Sequence, residues 1–452
     1  MNTSLLFHRI RICLITVSPC VMGGITLGFS SIALPEMNLS LDASSWFGCL
    51  FTIGAPFGSL TSGYVIDKFG RRPALILSII PGLIGWLLIT TYEKNTLWRL
   101  FVGRFLTGSS CGLSFFAGQM YLSEFIDLDP NFIAYRSSFT NAIPAATSTG
   151  FFLVIIFGTF FYYKTVAFFA FVLAVFLLIC ISLFIPESPV WLYQRGRYGD
   201  AEWSQNRLKL TCSFENYPLG GSTKETNRGS ILDRLRRQDV YVPLIFSSVC
   251  LSMIYLCGSS VLSTYLVNLI DPEGMYSLQD SYTLSAISAT VFFFSSIAVI
   301  FCIPCIGIRK IAIGSTLGMM IGMLIYGIAD YFTTSIIYAD LAHYVGIVAI
   351  GLAQFCNGFG FYAIPRAVLG EILPPDARGF AALPTVLMYA AQAATIKVHP
   401  FLAVSLKGFV YIIYAIFSLL QAIILFYFLP ETVGRTVTQI SNDFYRKPSS
   451  EL

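Results

Sequence analysis

The chain has 452 residues, of which 56% are hydrophobic and only 12% charged, with a mean hydropathy of +0.72. Soluble domains carry about 25% charge, so this composition excludes an ordinary soluble enzyme and points to a membrane-embedded protein. The net charge of +4 is broken up by apolar runs, leaving no continuous basic stripe for nucleic acid.

In chain order, Arg9 and Arg11 precede an apolar run that continues to residue 34. It is longer than a signal core and lacks a cleavage site, so it reads as a first span starting in the cytoplasm. Further runs at 45–66, 73–91, 97–121, 137–162 and 165–185 complete a first set of six. A second set lies at 240–270, 282–305, 311–331, 343–369, 377–401 and 409–429. Each approaches or exceeds the ~20 residues a helix needs to cross hydrocarbon. The predicted fold is therefore an all-α membrane protein with twelve transmembrane helices in two six-helix bundles, 1–186 and 240–430. Between them, 187–239 is expected to form short amphipathic helices under the bundle, with a flexible part near 217–230. Residues 431–452 form a tail on the same side as the N-terminus.

Orientation follows from the lysines and arginines of the short connections. Arg9, Arg11, Lys68, Arg71, Arg72, Arg136, Arg309, Lys310, Arg378 and Arg435 fall on one side, which is therefore assigned to the cytoplasm. Acids dominate the other: Glu36, Asp42, Asp271, Glu273, Asp280 and Asp340. Asn38-Leu39-Ser40 lies in the first outward loop, which makes Asn38 a candidate glycan acceptor. His8 and His399 read as interfacial residues.

Eleven cysteines are scattered mostly inside apolar runs, where they act as small core residues. Cys302-Ile303-Pro304-Cys305 has ligand-like spacing, but no second pair or histidine completes a metal site. No metal or cofactor is expected, and without a nucleophile motif or histidine cluster an enzyme is disfavoured.

A charged turn, Gly63-Tyr64-Val65-Ile66-Asp67-Lys68-Phe69-Gly70-Arg71-Arg72, lies between two apolar runs. A charge at mid-bilayer costs roughly 2.5–3.5 kcal/mol on insertion scales, so this stretch is a surface turn. Gly63 is expected to allow close helix approach, and Gly70 a tight reversal. The halves echo each other here. Ile308-Arg309-Lys310 reads as a worn copy of Gly70-Arg71-Arg72, Glu371 and Arg378 match Glu124 and Arg136, and Pro430-Glu431-Thr432 matches Pro186-Glu187-Ser188.

These motifs resemble those of the sugar porter branch of the major facilitator superfamily, and within it the insect trehalose and glucose facilitators. The turn matches Gly-x-x-x-Asp-Arg-x-Gly-Arg-Arg except at Lys68. Gly103-Arg104-Phe105-Leu106-Thr107-Gly108, Pro186-Glu187-Ser188-Pro189, Gly370-Glu371-Ile372-Leu373-Pro374 with Arg378-Gly379, and Pro430-Glu431-Thr432-Val433-Gly434-Arg435 match further family motifs in order. The resemblance implies alternating access, with Arg71 and Arg72 pairing Glu124 or Glu187, and Arg309, Lys310 and Arg378 pairing Glu371 or Glu431. Contacts that formed only when the halves met on the cytoplasmic side would act as a latch favouring the outward-open state.

The family's sugar-holding amides are replaced. The fifth-span glutamine falls on Pro144, the paired seventh-span glutamines on Ile254 and Tyr255, the following asparagine on Ser260, and the eleventh-span asparagine on Met388. Each sugar hydroxyl left unpaired in a buried site costs about 1–3 kcal/mol, so other groups must replace them. The candidates are Ser260, Ser263, Tyr265, Gln354 and Asn357. Gly-Pro-x-Pro-Trp falls on Tyr362-Ala363-Ile364-Pro365-Arg366, although Gly358-Phe359-Gly360 offers a second register. Arg366 could favour an anionic solute. With only ~7.5 Å of helix rise to Glu371, it is instead expected to snorkel to the cytoplasmic face or join the charge network.

The first span holds no acid, so facilitated diffusion is expected rather than proton coupling. The expectation is a monomeric facilitator of a trehalose- or hexose-like sugar in the plasma membrane, with both termini cytoplasmic. A carrier of another small organic solute, or a nutrient sensor that no longer transports, are the alternatives.

Overall fold

In lipid a chain must satisfy its own backbone groups, and a run of apolar residues does so as a helix. The computed structural model describes residues 3–37, 39–93, 96–128, 141–210, 238–271, 277–333, 339–366, 382–429 and 431, almost all of them helical. Ten helices among them are long and apolar enough to cross a membrane.

The first six are α1 (Thr3–Met37), α2 (Leu41–Phe69), α3 (Arg71–Thr90), α4 (Leu97–Asp127), α5 (Ala142–Phe160) and α6 (Tyr163–Phe184). They pack as one group through α1–α5, α2–α4, α3–α4 and α3–α6. The α2–α4 pair is close because it is made of small residues. A Cβ on Gly108 would lie 1.9 Å from the Phe51 carbonyl oxygen, and one on Gly54 2.1 Å from that of Phe105. Such close backbone approach replaces the hydrophobic drive that lipid does not supply. Gly63, expected to serve this purpose, has nothing within 4 Å of its would-be Cβ; the small-residue contact lies one to four turns earlier in α2.

Two short helices follow, α7 (Pro189–Gln194) and α8 (Tyr198–Leu208). They are tied under the first group: Arg195 Nη2 donates to the Asp67 carbonyl at 2.6 Å, Ser204 Oγ to that of Glu187 at 2.5 Å, and Arg9 Nη2 to that of Lys209 at 3.2 Å. The stretch 217–230 lies outside the described residues.

The seventh run, expected as one span, is three pieces: α9 (Gln238–Leu256), α10 (Ser259–Thr264) and α11 (Leu266–Ile270). Gly258, at φ +84°, breaks it in a left-handed conformation that other residues resist. Then come α12 (Leu278–Ile306), α13 (Ile308–Thr333) and α14 (Ala339–Cys356), which runs into a π-turn at Asn357–Phe361. Gly360 adopts φ +154° there. The last two are α15 (Ala382–Leu406), which carries Lys397 and His399, and α16 (Phe409–Phe428). α9–α15, α9–α16, α13–α14 and α13–α16 pack as the second group.

The groups meet along α2–α15 and α5–α12, and where α1 touches α10 and α11. Phe152 stacks on Phe293 with centroids 4.9 Å apart, and the Ser148 and Ser296 hydroxyls bond across the seam. Further cross-group bonds gather toward the Asp42 end. Lys397 Nζ reaches Asp42 Oδ1 at 2.7 Å and Ser45 Oγ at 2.8 Å, and sits 4.2 Å over the Trp46 ring. The Val267 N–H donates to Ser31 Oγ at 3.1 Å, and Tyr282 OH to the Ile32 carbonyl at 3.0 Å. The seam is thus sealed at the Asp42 end.

Candidate functional site

The charged turn at the opposite end is built around one glycine and one carboxylate. Gly70 joins α2 to α3 at φ +104°, and a Cβ there would lie 2.3 Å from Glu187 Oε2. The absent side chain lets Glu187 cap α3: its Oε1 accepts the N–H groups of Arg71 at 2.8 Å, Arg72 at 3.2 Å and Ser188 at 2.8 Å. A carboxylate there meets unsatisfied donors and the positive end of the helix dipole. Burial nevertheless pushes the Glu187 carboxyl above its ordinary value, with those N–H groups opposing it.

Arg71 turns inward. Its Nε lies 2.9 and 3.1 Å from the two carboxylate oxygens of Glu124, its Nη2 2.5 Å from Oε1, and its Nη1 donates to the Ile66 carbonyl at 3.2 Å. Ser188 Oγ donates to Glu124 Oε2 at 2.5 Å. Arg71 is 5% exposed and Glu124 8%, so this is a buried ion pair. Arg72 instead donates through Nη2 to the Ser182 carbonyl at 2.6 Å.

The second group repeats the device. Gly307 takes φ +91°, with its would-be Cβ 2.6 Å from Glu431 Oε2. Glu431 accepts the N–H groups of Ile308 at 3.0 Å and Arg309 at 3.2 Å, and Arg309 Nη2 donates to the Phe426 carbonyl at 2.5 Å. The echo is therefore Gly307-Ile308-Arg309 with Gly70-Arg71-Arg72, one residue earlier than the sequence comparison placed it. Ile308 stands where Arg71 does, so this position supplies no guanidinium, and Lys310 is exposed.

These contacts lie inside a single group and form while the seam is closed at the far end. They hold each group's own end together, whereas the expected latch requires contacts between groups. Asp67 takes part through its backbone carbonyl, and its side chain is exposed. Arg136, Glu371, Arg378 and Asn38 lie outside the described residues.

The expected cavity residues separate. Asn357 Oδ1 accepts from Ser259 Oγ at 2.8 Å, and Asn357 Nδ2 donates to Gln354 Oε1 at 3.5 Å, a cluster between α10 and the π-turn. Ser263 Oγ donates to the Ser259 carbonyl at 3.3 Å within α10. Tyr265 belongs to the sealed end: its OH donates to the Ile396 carbonyl at 3.1 Å, and Gly48 of α2 closes over it. Ser260 Oγ, Gln354 Nε2 and Gln392 Oε1 are buried without a hydrogen-bond partner among the described residues.

Arg366 does not run along the helix end toward the carboxylates. Its guanidinium carbon lies 4.0 Å from the Tyr362 ring centre, 5.4 Å from Phe115 of α4 and 5.7 Å from Tyr255 of α9, and its Nη2 meets the Tyr255 hydroxyl. Half-buried, it is flanked by rings from both groups at the seam. His399 also departs from expectation. Only 4% exposed, it contacts Tyr414 OH through Nδ1 at 3.1 Å and packs against the rings of Tyr265 and Tyr411.

Sequence reasoning missed Ser259, which meets Asn357, and Phe115, Tyr362 and Tyr389, which surround Arg366. Two had a signal: Tyr362 opens the degenerate Gly-Pro-x-Pro-Trp segment, and Tyr389 follows Met388, where the family asparagine falls. The π-turn that brings Asn357 to Ser259 left no trace in the apolar pattern.

The family model described as sugar (and other) transporter matches residues 27–444. Sugar transporter ERD6-like 1 of Arabidopsis thaliana is 26% identical, covering 94% of this chain and 92% of its own. Facilitated trehalose transporter Tret1 of Bombyx mori is 26% identical, covering 92% of this chain and 83% of its own. The solved structure of the proton:xylose symporter XylE of E. coli superposes with a TM-score of 0.75 at 20% identity, covering 98% of this chain and 100% of its own. The fold is that of the major facilitator superfamily, and the chain belongs to the sugar (and other) transporter family.

Proposed function

We propose that the protein carries a sugar or closely related polyhydroxylated solute across the plasma membrane by alternating access, as a facilitator, with both termini in the cytoplasm. The observation that carries this reading is the set of buried polar atoms without partners. A hydroxyl or amide in lipid is costly unless bonded, yet Ser260 Oγ and Gln354 Nε2, beside the Ser259–Asn357 pair, have no partner among the described residues. A solute bearing several hydroxyls supplies what they lack. The names of the relatives, which describe sugar and trehalose transporters, point the same way.

In this reading the seam sealed by Lys397 and Asp42 faces outward, and release occurs toward the Arg71 end. The glutamate-capped turns keep each group rigid, so the groups rock as bodies about the α5–α12 contact. Uptake of radiolabelled trehalose, glucose and a polyol into proteoliposomes tests this. Saturable flux of at least one is expected, and absence of flux from folded protein would refute transport.

A further inference from the structure

We infer that the solute carries a negative charge, a carboxylate on a sugar-like body, and that Arg366 receives it. This rests on the transport reading for the solute's passage, but the binding it predicts can be measured alone. Arg104, fully buried, and Arg366, half-buried, are held differently by the fold. Arg104 is saturated by the fold: Nη1 donates to the Thr26 carbonyl at 2.8 Å, Nε to that of Phe47 at 3.2 Å, and Nη2 to Ser30 Oγ at 2.5 Å. Three oxygens within the first group satisfy its fork, and the charge has a structural home.

Arg366 has no such set. Among the described residues its polar partners are neutral tyrosine hydroxyls, that of Tyr255 at Nη2 and that of Tyr362, its Nε is shielded from solvent without a partner, and no ion pair joins it. The rest of its surroundings are the faces of Tyr362 and Phe115, with Tyr389 and Cys111 beyond. Ring faces favour a cation but offer it no counter-charge. A planar guanidinium with an open Nε–H edge is the group best shaped to take a carboxylate in two parallel bonds. The Tyr255 hydroxyl, already accepting from Arg366, keeps its own proton free to donate to the same anion. Because Phe115 belongs to the first group and Tyr255, Tyr362 and Arg366 to the second, the anion would bind at the seam.

The test uses full-length purified protein with glucose and glucuronate, which differ at one carbon of the ring substituent. Binding is read by titrated thermal shift, and flux by uptake into proteoliposomes. Wild type is expected to bind glucuronate more tightly than glucose. Arg366→Gln should weaken glucuronate by about ten- to a hundredfold, the value of a charge-assisted bond, while glucose is nearly unaffected. Arg366→Lys, which keeps the charge but not the fork, should fall between them, and an unchanged elution profile shows that each variant is folded. Glucose-6-phosphate is the comparison anion; tighter binding of it than of glucuronate would overturn the carboxylate assignment. No glucuronate preference, or one that survives Arg366→Gln, overturns the inference and leaves the transport reading standing if glucose is carried. Arg366-dependent binding without flux supports the site and removes the transport reading.

Discussion

The buried ion pair at the Arg71 turn permits a sharp prediction. Arg71→Gln removes a guanidinium that makes three contacts of 2.5–3.1 Å to Glu124 and one of 3.2 Å to the Ile66 carbonyl. Glu124 is then left with the Ser188 hydroxyl at 2.5 Å as its remaining described bond. With the two residues only 5% and 8% exposed, water cannot replace the lost partner without opening the turn. Breaking one side of such a pair costs about 3–5 kcal/mol, much of it from the stranded charge rather than the lost attraction. Glu124→Gln removes the stranded carboxylate, so the double variant should recover about 2 kcal/mol relative to the sum of the single changes. Reversible denaturant unfolding of the detergent-solubilised protein measures all four corners of this cycle. A Tm and unfolding free energy unchanged by Arg71→Gln, or strict additivity in the cycle, would show that the pair does not brace the first group. An inter-group latch predicts the opposite pattern, with normal stability and altered uptake alone.

The other predictions concern the seal, the cap and the helix contacts. Asp42→Asn should loosen the sealed end only modestly, because the Asp42 side chain is 70% exposed and solvent screens its pairing with Lys397; at up to ~1 kcal/mol, labelling of a cysteine at Ser31 by an impermeant maleimide should rise no more than about fivefold. An unchanged rate would mean that Lys397 does not hold the groups together. Because burial raises the Glu187 carboxyl, the native state holds a proton that the unfolded chain releases. Its stabilising contribution is complete below the ordinary value of 4.5 and is lost as pH rises through the raised one. Stability should therefore fall over that window in the parent and stay flatter in Glu187→Gln, as unfolding at several pH values would reveal. Gly108→Val should abolish membrane accumulation, since even its Cβ would enter the Phe51 carbonyl, 1.9 Å away. Gly63→Ala, with open space around it, should be neutral or stabilising by about 0.5–1 kcal/mol. Comparable abundance of these two variants would contradict the α2–α4 packing.

The sequence alone was enough for the fold because the membrane narrows the choices: apolar runs must be helices, and charge clusters must lie at their ends. It also marked Gly70, Arg71, Glu124, Glu187 and Glu431, since charged residues flanking apolar runs have few places to go. Tertiary structure decided who meets whom. Gly63 and Gly108 look alike in an apolar run, and only the path of α4 beside α2 makes one open and the other indispensable. The Gly307 register was hidden because a glycine's value lies in its φ and in the carboxylate packed against it, neither of which leaves a local pattern. The same holds at the seam. Arg366 and Tyr255 are 111 positions apart, and the break at Gly258 and the π-turn at Asn357–Phe361 bring ring, hydroxyl and guanidinium together, because a side chain's charge is written in the chain but its counter-charge is set by the space around it.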